Sequence, residues 1–277
     1  SLGTYALVAD RTDMKTRIYS MNLADKGVIE FEMAGLSYDK AKNWANYPMG
    51  VVSVFEQAGH KCGHGFDIVI NGTLPNGSGL SSSASLEVLT ALILNDAFEF
   101  GLDMVAMVKL SQKAENVFVG VNCGIMDQFA VGMGKKDCAI LLDCNTLDYR
   151  YSKIALKDAS IVISNTNKPH SLASSAYNVR RAQCEHALNE LKEVKPELGA
   201  LGELSNEEFN KLAGHIAAEH QLEHGQNGGQ GGHQDGAHSC FAGGDQGRAA
   251  LHAADAQLVG VIHEHDAIVD DRAHQDD

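Results

Sequence analysis

Pro75-Asn76-Gly77-Ser78-Gly79-Leu80-Ser81-Ser82-Ser83-Ala84-Ser85 stands between a strand-like run at residues 66–71 and an amphipathic run at residues 82–100. Glycines at 77 and 79 let the backbone turn tightly and come close to a ligand, because neither carries a Cβ. The helix that follows offers unpaired N–H groups and the positive end of its dipole to an anion. The serines add hydroxyl donors, and one of them can ligate Mg2+. The same string also serves as a plain serine cap after a flexible loop. It is not a Walker A loop, since no Lys follows the glycines.

Working outward, residues 4–9 and 15–21 alternate in the manner of strands and are joined by Asp10-Arg11-Thr12-Asp13, which predicts a hairpin. Between residues 39 and 58, Trp44, Tyr47, Val51, Val52 and Phe55 fall three and four apart, and Gly59 stops the pattern. A helix is expected there, kinked or divided by Pro48. Over residues 82–100 the pattern predicts a helix with Leu86, Leu89, Leu92, Ile93 and Phe98 inward, Glu87, Asp96 and Glu99 toward solvent, and Gly101 as its stop. A further helix is expected over 104–118, strands over 138–143 and 160–165, and a long helix over 171–194 closed by Pro196. Helices and strands mix without a strict βαβ alternation, which indicates an α+β fold.

A chain of 277 residues can bury a sizeable core, and its apolar runs are all far shorter than a membrane-spanning helix requires. The net charge of −14 argues against sequence-independent binding to phosphate backbones or anionic lipid, so small molecules are the expected partners rather than nucleic acid or membrane. Six cysteines without a C-x-x-C pair are sparse for this length and fit a reducing cytoplasm. The composition changes near Ile216. Residues 217–277 hold 2 Arg against 8 Asp and 3 Glu, and eight of the thirteen His, so most of the acidity is local to this tail.

A second chemical cue is Cys123-Gly124-Ile125-Met126-Asp127-Gln128, where an acid follows a glycine at the expected start of a helix. Taken alone, Asp127 reads equally as a cap or a first-turn charge favoured by the dipole. Glu115 lies twelve positions earlier on the preceding helix. A carboxylate near a phosphate loop is what a Mg2+ site needs, while an exposed helix charge is the plainer alternative.

Three stretches together, 75–85, 124–128 and Ser175-Ala176-Tyr177-Asn178-Val179-Arg180-Arg181, resemble the galactokinases, members of the GHMP small-molecule kinases. The resemblance covers about residues 1–216 and extends to Trp44-Ala45-Asn46-Tyr47, residues 112–132 and Asn165-Thr166-Asn167-Lys168. It implies a two-domain GHMP kinase fold: a first domain over 1–157 that lacks its opening strands, the start of a second over 158–216, and an unassigned tail over 217–277. It implies that Gly77, Ser78, Gly79, Leu80, Ser81, Ser82 and Ser83 wrap the triphosphate of ATP, and that Ser83 with Glu115 holds Mg2+. Asp127 would face the anomeric hydroxyl of galactose as general base or electrostatic orienter. Gly124 and Tyr177 match sugar-binding positions, and Trp44 matches the residue beside the adenine. Core packing is the competing role for both aromatics.

The pattern also departs from the family. Galactokinases begin with a segment resembling G-R-V-N-L-I-G-E-H-T-D-Y-N-G-G and carry a G-A-G-F-G-G segment near their end, and neither is found in this chain. The expected function is therefore galactose phosphorylation at the level of the gene, with little or no activity in the chain itself, because charge stabilisation and sugar positioning are reduced. N-acetylgalactosamine kinase and a non-catalytic galactose and ATP sensor are the rivals. The tail reads as out-of-frame or joined foreign sequence from about Ala217; its His pairs, such as His263-Glu264-His265, offer metal binding as the competing use. Sequencing the encoding DNA past Ile216 in every frame, together with the upstream flank, is expected to restore a G-A-G-F-G-G-like segment and the missing opening motif; if neither appears, the tail is genuine and the non-catalytic relative is favoured.

Overall fold

The computed structural model describes residues 2–75, 79–156, 161, 163 and 177–217. Most of the expected strand over 160–165, the loop residues Gly77 and Ser78, and the tail from 218 lie outside the described residues.

Four strands form one sheet in the order β1-β4-β2-β3: β1 (Thr4–Asp10), β2 (Lys15–Ser20), β3 (Ile29–Glu32) and β4 (Phe66–Gly72). The strands predicted at 4–9 and 15–21 exist, but they do not pair as a hairpin. β4 lies between them, antiparallel to β1 through Thr4↔Gly72 to Asp10↔Phe66 and parallel to β2 through Arg17↔Asp67 to Ser20↔Ile70. Charge and close approach account for the insertion. Asp67 on β4 takes the guanidinium of Arg17 on β2 and that of Arg11, from the turn after β1, and the hydrogen bonds from these two groups hold its carboxyl at about 2. The turn also straddles the start of β4, with Arg11 N–H donating to Gly65 O at 2.9 Å and Gly65 N–H donating to Asp13 O at 2.7 Å. Gly65 is needed there, because a Cβ would collide with the backbone of Lys15.

Period-two alternation turns Ile18, Phe31, Phe66, Ile68 and Ile70 into the core, whereas Leu7 and Val69 stand on the open face. Against the inner face pack α1 (Asn46–Gln57), α2 (Ser82–Ala97) and α3 (Met104–Ala114), and α4 (Met126–Met133) packs in turn on α2 and α3. The helix expected over 39–58 is divided at Asn43, whose φ of 49° ends a 3-10 segment before α1 begins. Pro48 does not kink it. It sits in the first turn of α1, where an N–H would be unpaired anyway.

α2 departs further from expectation. Leu86, Leu89 and Leu92 are only half-buried, while Ala84, Ser85, Glu87, Val88, Thr90, Ala91 and Leu94 are buried. The helix is packed on several sides, by β1, α1, α3 and α4, so no single apolar stripe describes it. Glu87, expected in solvent, is 0% exposed. α3 runs on into a π-helical turn, Glu115–Val119, which aims Phe118 at Gly50 of α1.

A small second sheet, β5 (Cys138–Leu142) antiparallel to β6 (Tyr149–Lys153), places Ile140 and Leu142 beside a satellite core around Val88 and Phe129. A separate cluster joins α5 (Tyr177–Val194) to α6 (Asn206–Leu212) through Ala187, Leu191, Leu198, Leu201 and Ile216. Ser205 and Glu208 form a capping box on α6, and the bonds from Ser205 and Lys195 hold Glu208 at about 2.

Gly132 marks the closest approach of α4 to α3, since a Cβ there would lie 2.6 Å from Val108 Cγ2. Gly132→Ala is therefore expected to lower stability by about 1–3 kcal/mol through overpacking, read from the urea midpoint at unchanged slope.

Candidate active site

β4 delivers the chain to the loop at a defined point. Asn22 clamps Gly72 with one bond from the Gly72 N–H at 2.6 Å and one to its carbonyl at 2.7 Å, and Gly3 N–H donates to Thr73 Oγ1 at 2.8 Å. After the loop, Ser85 Oγ donates to Thr4 Oγ1 at 2.8 Å and ties the first turn of α2 to β1. Strand end and helix start are thus anchored on both sides of the glycine-serine segment.

Ser81 caps α2 with a φ of 58°, the left-handed region that a non-glycine residue seldom occupies, and its side chain makes no cap bond to the helix. Its hydroxyl instead donates to the carboxylate of Asp127. The strained backbone thus presents this hydroxyl to Asp127 rather than to the helix. The leading N–H groups of α2 carry no side-chain cap and remain suited to an anion.

Asp127 stands in the first turn of α4 and is half-buried. It is not a helix cap, since Ile125 holds that position. Burial raises its carboxyl above the ordinary aspartate value, and the Ser81 hydroxyl opposes the rise. Glu115 is 2% exposed, which replaces the alternative of an exposed helix charge. Its carboxyl is raised by burial and by the nearby charge of Asp127, while bonds from Cys123, Ser83 and Gln128 pull the other way. The structure thus brings Ser81, Ser83, Glu115 and Asp127 into one group drawn from three elements.

Behind that group lies a cluster to which sequence reasoning assigned no role. Gln128, 0% exposed, donates from Nε2 to Glu115 Oε2 at 2.6 Å and to Glu87 Oε2 at 3.0 Å. Burial and the charge of Glu115 drive the Glu87 carboxyl well upward. Tyr47 of α1 feels the same environment, its hydroxyl pushed up to about 12 by burial and by Glu115 and Glu87. Glu87 falls one helical turn after Ser83, between Ala84, Val88 and Ala91 in the buried arc, and that spacing was the available signal.

The remaining expected residues are placed differently. Gly79 has a φ of 74°, as a tight turn at this point requires, and Leu80 is half-buried. Gly124 is exposed in the segment leading into α4. Trp44 is packed into the main core at 8% exposure, with its indole N–H buried and without a partner. Tyr177 opens α5, and its side chain lies outside the described residues.

The donor set fits Mg2+. Glu115 Oε1 is buried and accepts no hydrogen bond, and the Ser83 hydroxyl faces the same carboxylate. One carboxylate and one hydroxyl are the share a protein supplies when phosphates and waters complete the octahedron. Among the described residues no group of three or more carboxylate, imidazole or thiol side chains is placed to hold a metal ion.

Comparison with known proteins follows the same lines. Residues 46–135 match the GHMP kinases N terminal domain. The chain is 56% identical over 212 residues to a galactokinase of Clostridium acetobutylicum, covering 76% of this chain and 54% of that protein. It is 54% identical over 220 residues to a galactokinase of Fusobacterium nucleatum, covering 79% of this chain and 57% of that one. The crystal structure of Lactococcus lactis galactokinase complexed with galactose superposes with a TM-score of 0.73 at 43% identity, over 78% of this chain and 56% of that one. The chain spans about half the length of the curated relatives it matches.

The raised Glu87 carboxyl makes stability depend on pH. The folded state retains a proton that the unfolded state releases near pH 4.3, so stability is greatest below about that value and declines as pH rises through the raised folded pKa. Glu115 and Asp127 are shifted in the same direction. Glu87→Gln keeps an acceptor for Gln128 without the titration. It is expected to reduce the decline and raise the melting temperature at neutral pH relative to acid; an unchanged slope across pH 4–8 would contradict the burial argument.

Proposed function

We propose that this chain, a member of the GHMP kinase family similar over three quarters of its length to galactokinases, carries the phosphate loop and catalytic aspartate of a galactokinase. The reaction is transfer of the ATP γ-phosphoryl group to α-D-galactose, giving galactose 1-phosphate. The observation that carries the reading is that the loop-to-helix junction holds the acid directly: Ser81, next to the first turn of α2, donates to Asp127.

Phosphoryl transfer asks the protein mainly for position and charge stabilisation. The N-terminus of α2 supplies N–H donors and a positive dipole end to the phosphates. Asp127 accepts the proton of the attacking sugar hydroxyl; its burial raises its affinity for that proton, and Ser81 orients it and opposes the rise. Gly124, on the segment that leads into α4, lets the sugar approach the backbone, and Tyr177 adds a hydroxyl. Ser83 and Glu115 would hold Mg2+, and the chemistry it would supply there is neutralisation of charge on the phosphates.

Trp44 is assigned to the adenine subsite, supported by its buried indole N–H, which finds no partner within the main core. The domain division at residues 157 and 216 is supported by the separate apolar cluster around Leu191 and Leu198. No helix among the described residues is long and apolar enough to cross a membrane, and none of the described cysteines is in a disulfide, which supports a reducing cytoplasm.

Titration of the chain with MgATP is expected to give saturable heat and to change the emission of its one tryptophan, Trp44. Heat without an emission change would remove the Trp44 assignment alone. In a protein of the relatives' full length that carries this chain, Asp127→Asn is expected to lower kcat by about 10²–10⁴-fold while leaving nucleotide affinity within about threefold. Phosphorylation of N-acetylgalactosamine in preference to galactose would move the substrate, and nucleotide binding with neither sugar phosphorylated would make the protein a sensor.

A further inference from the structure

We infer that Gln128 is a positioning residue that leaves one oxygen of Glu115 turned to the cation, and that Glu87 is the anchor that holds Gln128 in that orientation. The inference rests on the kinase reading above and adds two residues to it.

Three oxygens carry the argument. Glu115 Oε2 accepts from Gln128 Nε2 at 2.6 Å and from the Cys123 thiol at 3.4 Å. Glu115 Oε1 is equally buried and accepts nothing. A carboxylate with one oxygen doubly bonded and the other bare cannot rotate without breaking both bonds, so the bare oxygen is presented in a fixed direction. An unpaired buried carboxylate oxygen is costly unless a proton or cation completes it.

Gln128 can act this way only through its amide nitrogen. Its two N–H groups are both engaged, one by Glu115 and the other by Glu87 Oε2 at 3.0 Å, and a flipped amide would turn its oxygen toward two acceptors. Glu87 thereby selects the amide orientation. All three side chains are at most 2% exposed, so water offers no substitute donor. They come from α2, from the π-helical turn after α3 and from α4, and the clamp is assembled only when those elements are packed. Partners of this kind around a metal ligand typically alter metal affinity by about 10–100-fold.

The test compares ATP affinity of the purified chain by isothermal titration in saturating Mn2+ and in EDTA. For the wild type, metal is expected to tighten ATP binding. In Gln128→Met, a side chain of similar length without donors, the metal-dependent gain is expected to fall by about 10–100-fold while affinity in EDTA stays within about twofold. Glu87→Leu, which removes the anchor and keeps bulk, is expected to lose part of the gain, and it serves as the test should Gln128→Met fail to fold by circular dichroism. A folded variant with the full wild-type gain overturns the inference. So does an equal loss in Mn2+ and in EDTA, the mark of a merely structural role. Wild-type binding of ATP with no gain from Mn2+ overturns the inference together with the Ser83–Glu115 cation site, and no wild-type binding of ATP in either condition overturns the kinase reading itself.

Discussion

One glutamine amide wedged between two buried glutamates holds the helical layer in register. Gln128 of α4 bonds Glu115 at the end of α3 and Glu87 inside α2, and all three are sealed from water. In a low dielectric such bonds are strong and their absence is costly, so the three elements cannot slide past one another without exposing an unpaired carboxylate. Two of the residues proposed for chemistry inherit their places from this arrangement. Glu115 belongs to the cluster, and Asp127 is the immediate neighbour of Gln128 on the first turn of α4.

α2 is the element on which the arrangement converges. It begins where β4 and its loop arrive, and it runs through the middle of the helical layer with neighbours on several sides. Its side chains facing those neighbours are small or polar, such as Ala84, Ser85 and Ala91, which lets the other helices approach closely. Gly132 and Gly50 do the same work from α4 and α1. A helix so enclosed gives a rigid N-terminus, and a rigid N-terminus is what a phosphate site built from backbone N–H groups requires. The left-handed backbone at Ser81 is maintained because that rigidity over-determines it.

The sheet shows the complementary lesson. Its strands were legible from alternation, yet their pairing was not, because the polar turn at residues 10–13 looks like a hairpin connection when only neighbours are considered. Arg11 and Arg17 find Asp67 some fifty residues further on, and Gly65 permits a backbone approach that any side chain would block. A long-range partner of this kind leaves no periodic mark. Glu87 was misread for a related reason: a charge on a helix is assigned to solvent when its partner, Gln128, lies on another helix 41 positions away.

From the sequence alone came the α+β class, the positions of most helices and strands and a glycine-serine loop ahead of a helix start. These are carried by local composition and spacing, which the chain expresses without folding: a helix start after Gly79 needs only its own residues. The grouping of Ser83, Glu115 and Asp127 was implied by the resemblance to the galactokinases, not by spacing. Tertiary structure alone decided the strand order, the burial of Glu87 and Glu115, the turn of the Ser81 hydroxyl toward Asp127 and the orientation of the Gln128 amide. Each of these depends on a polar group finding one partner in the absence of water, and that absence exists only after the helices and the sheet have closed over one another.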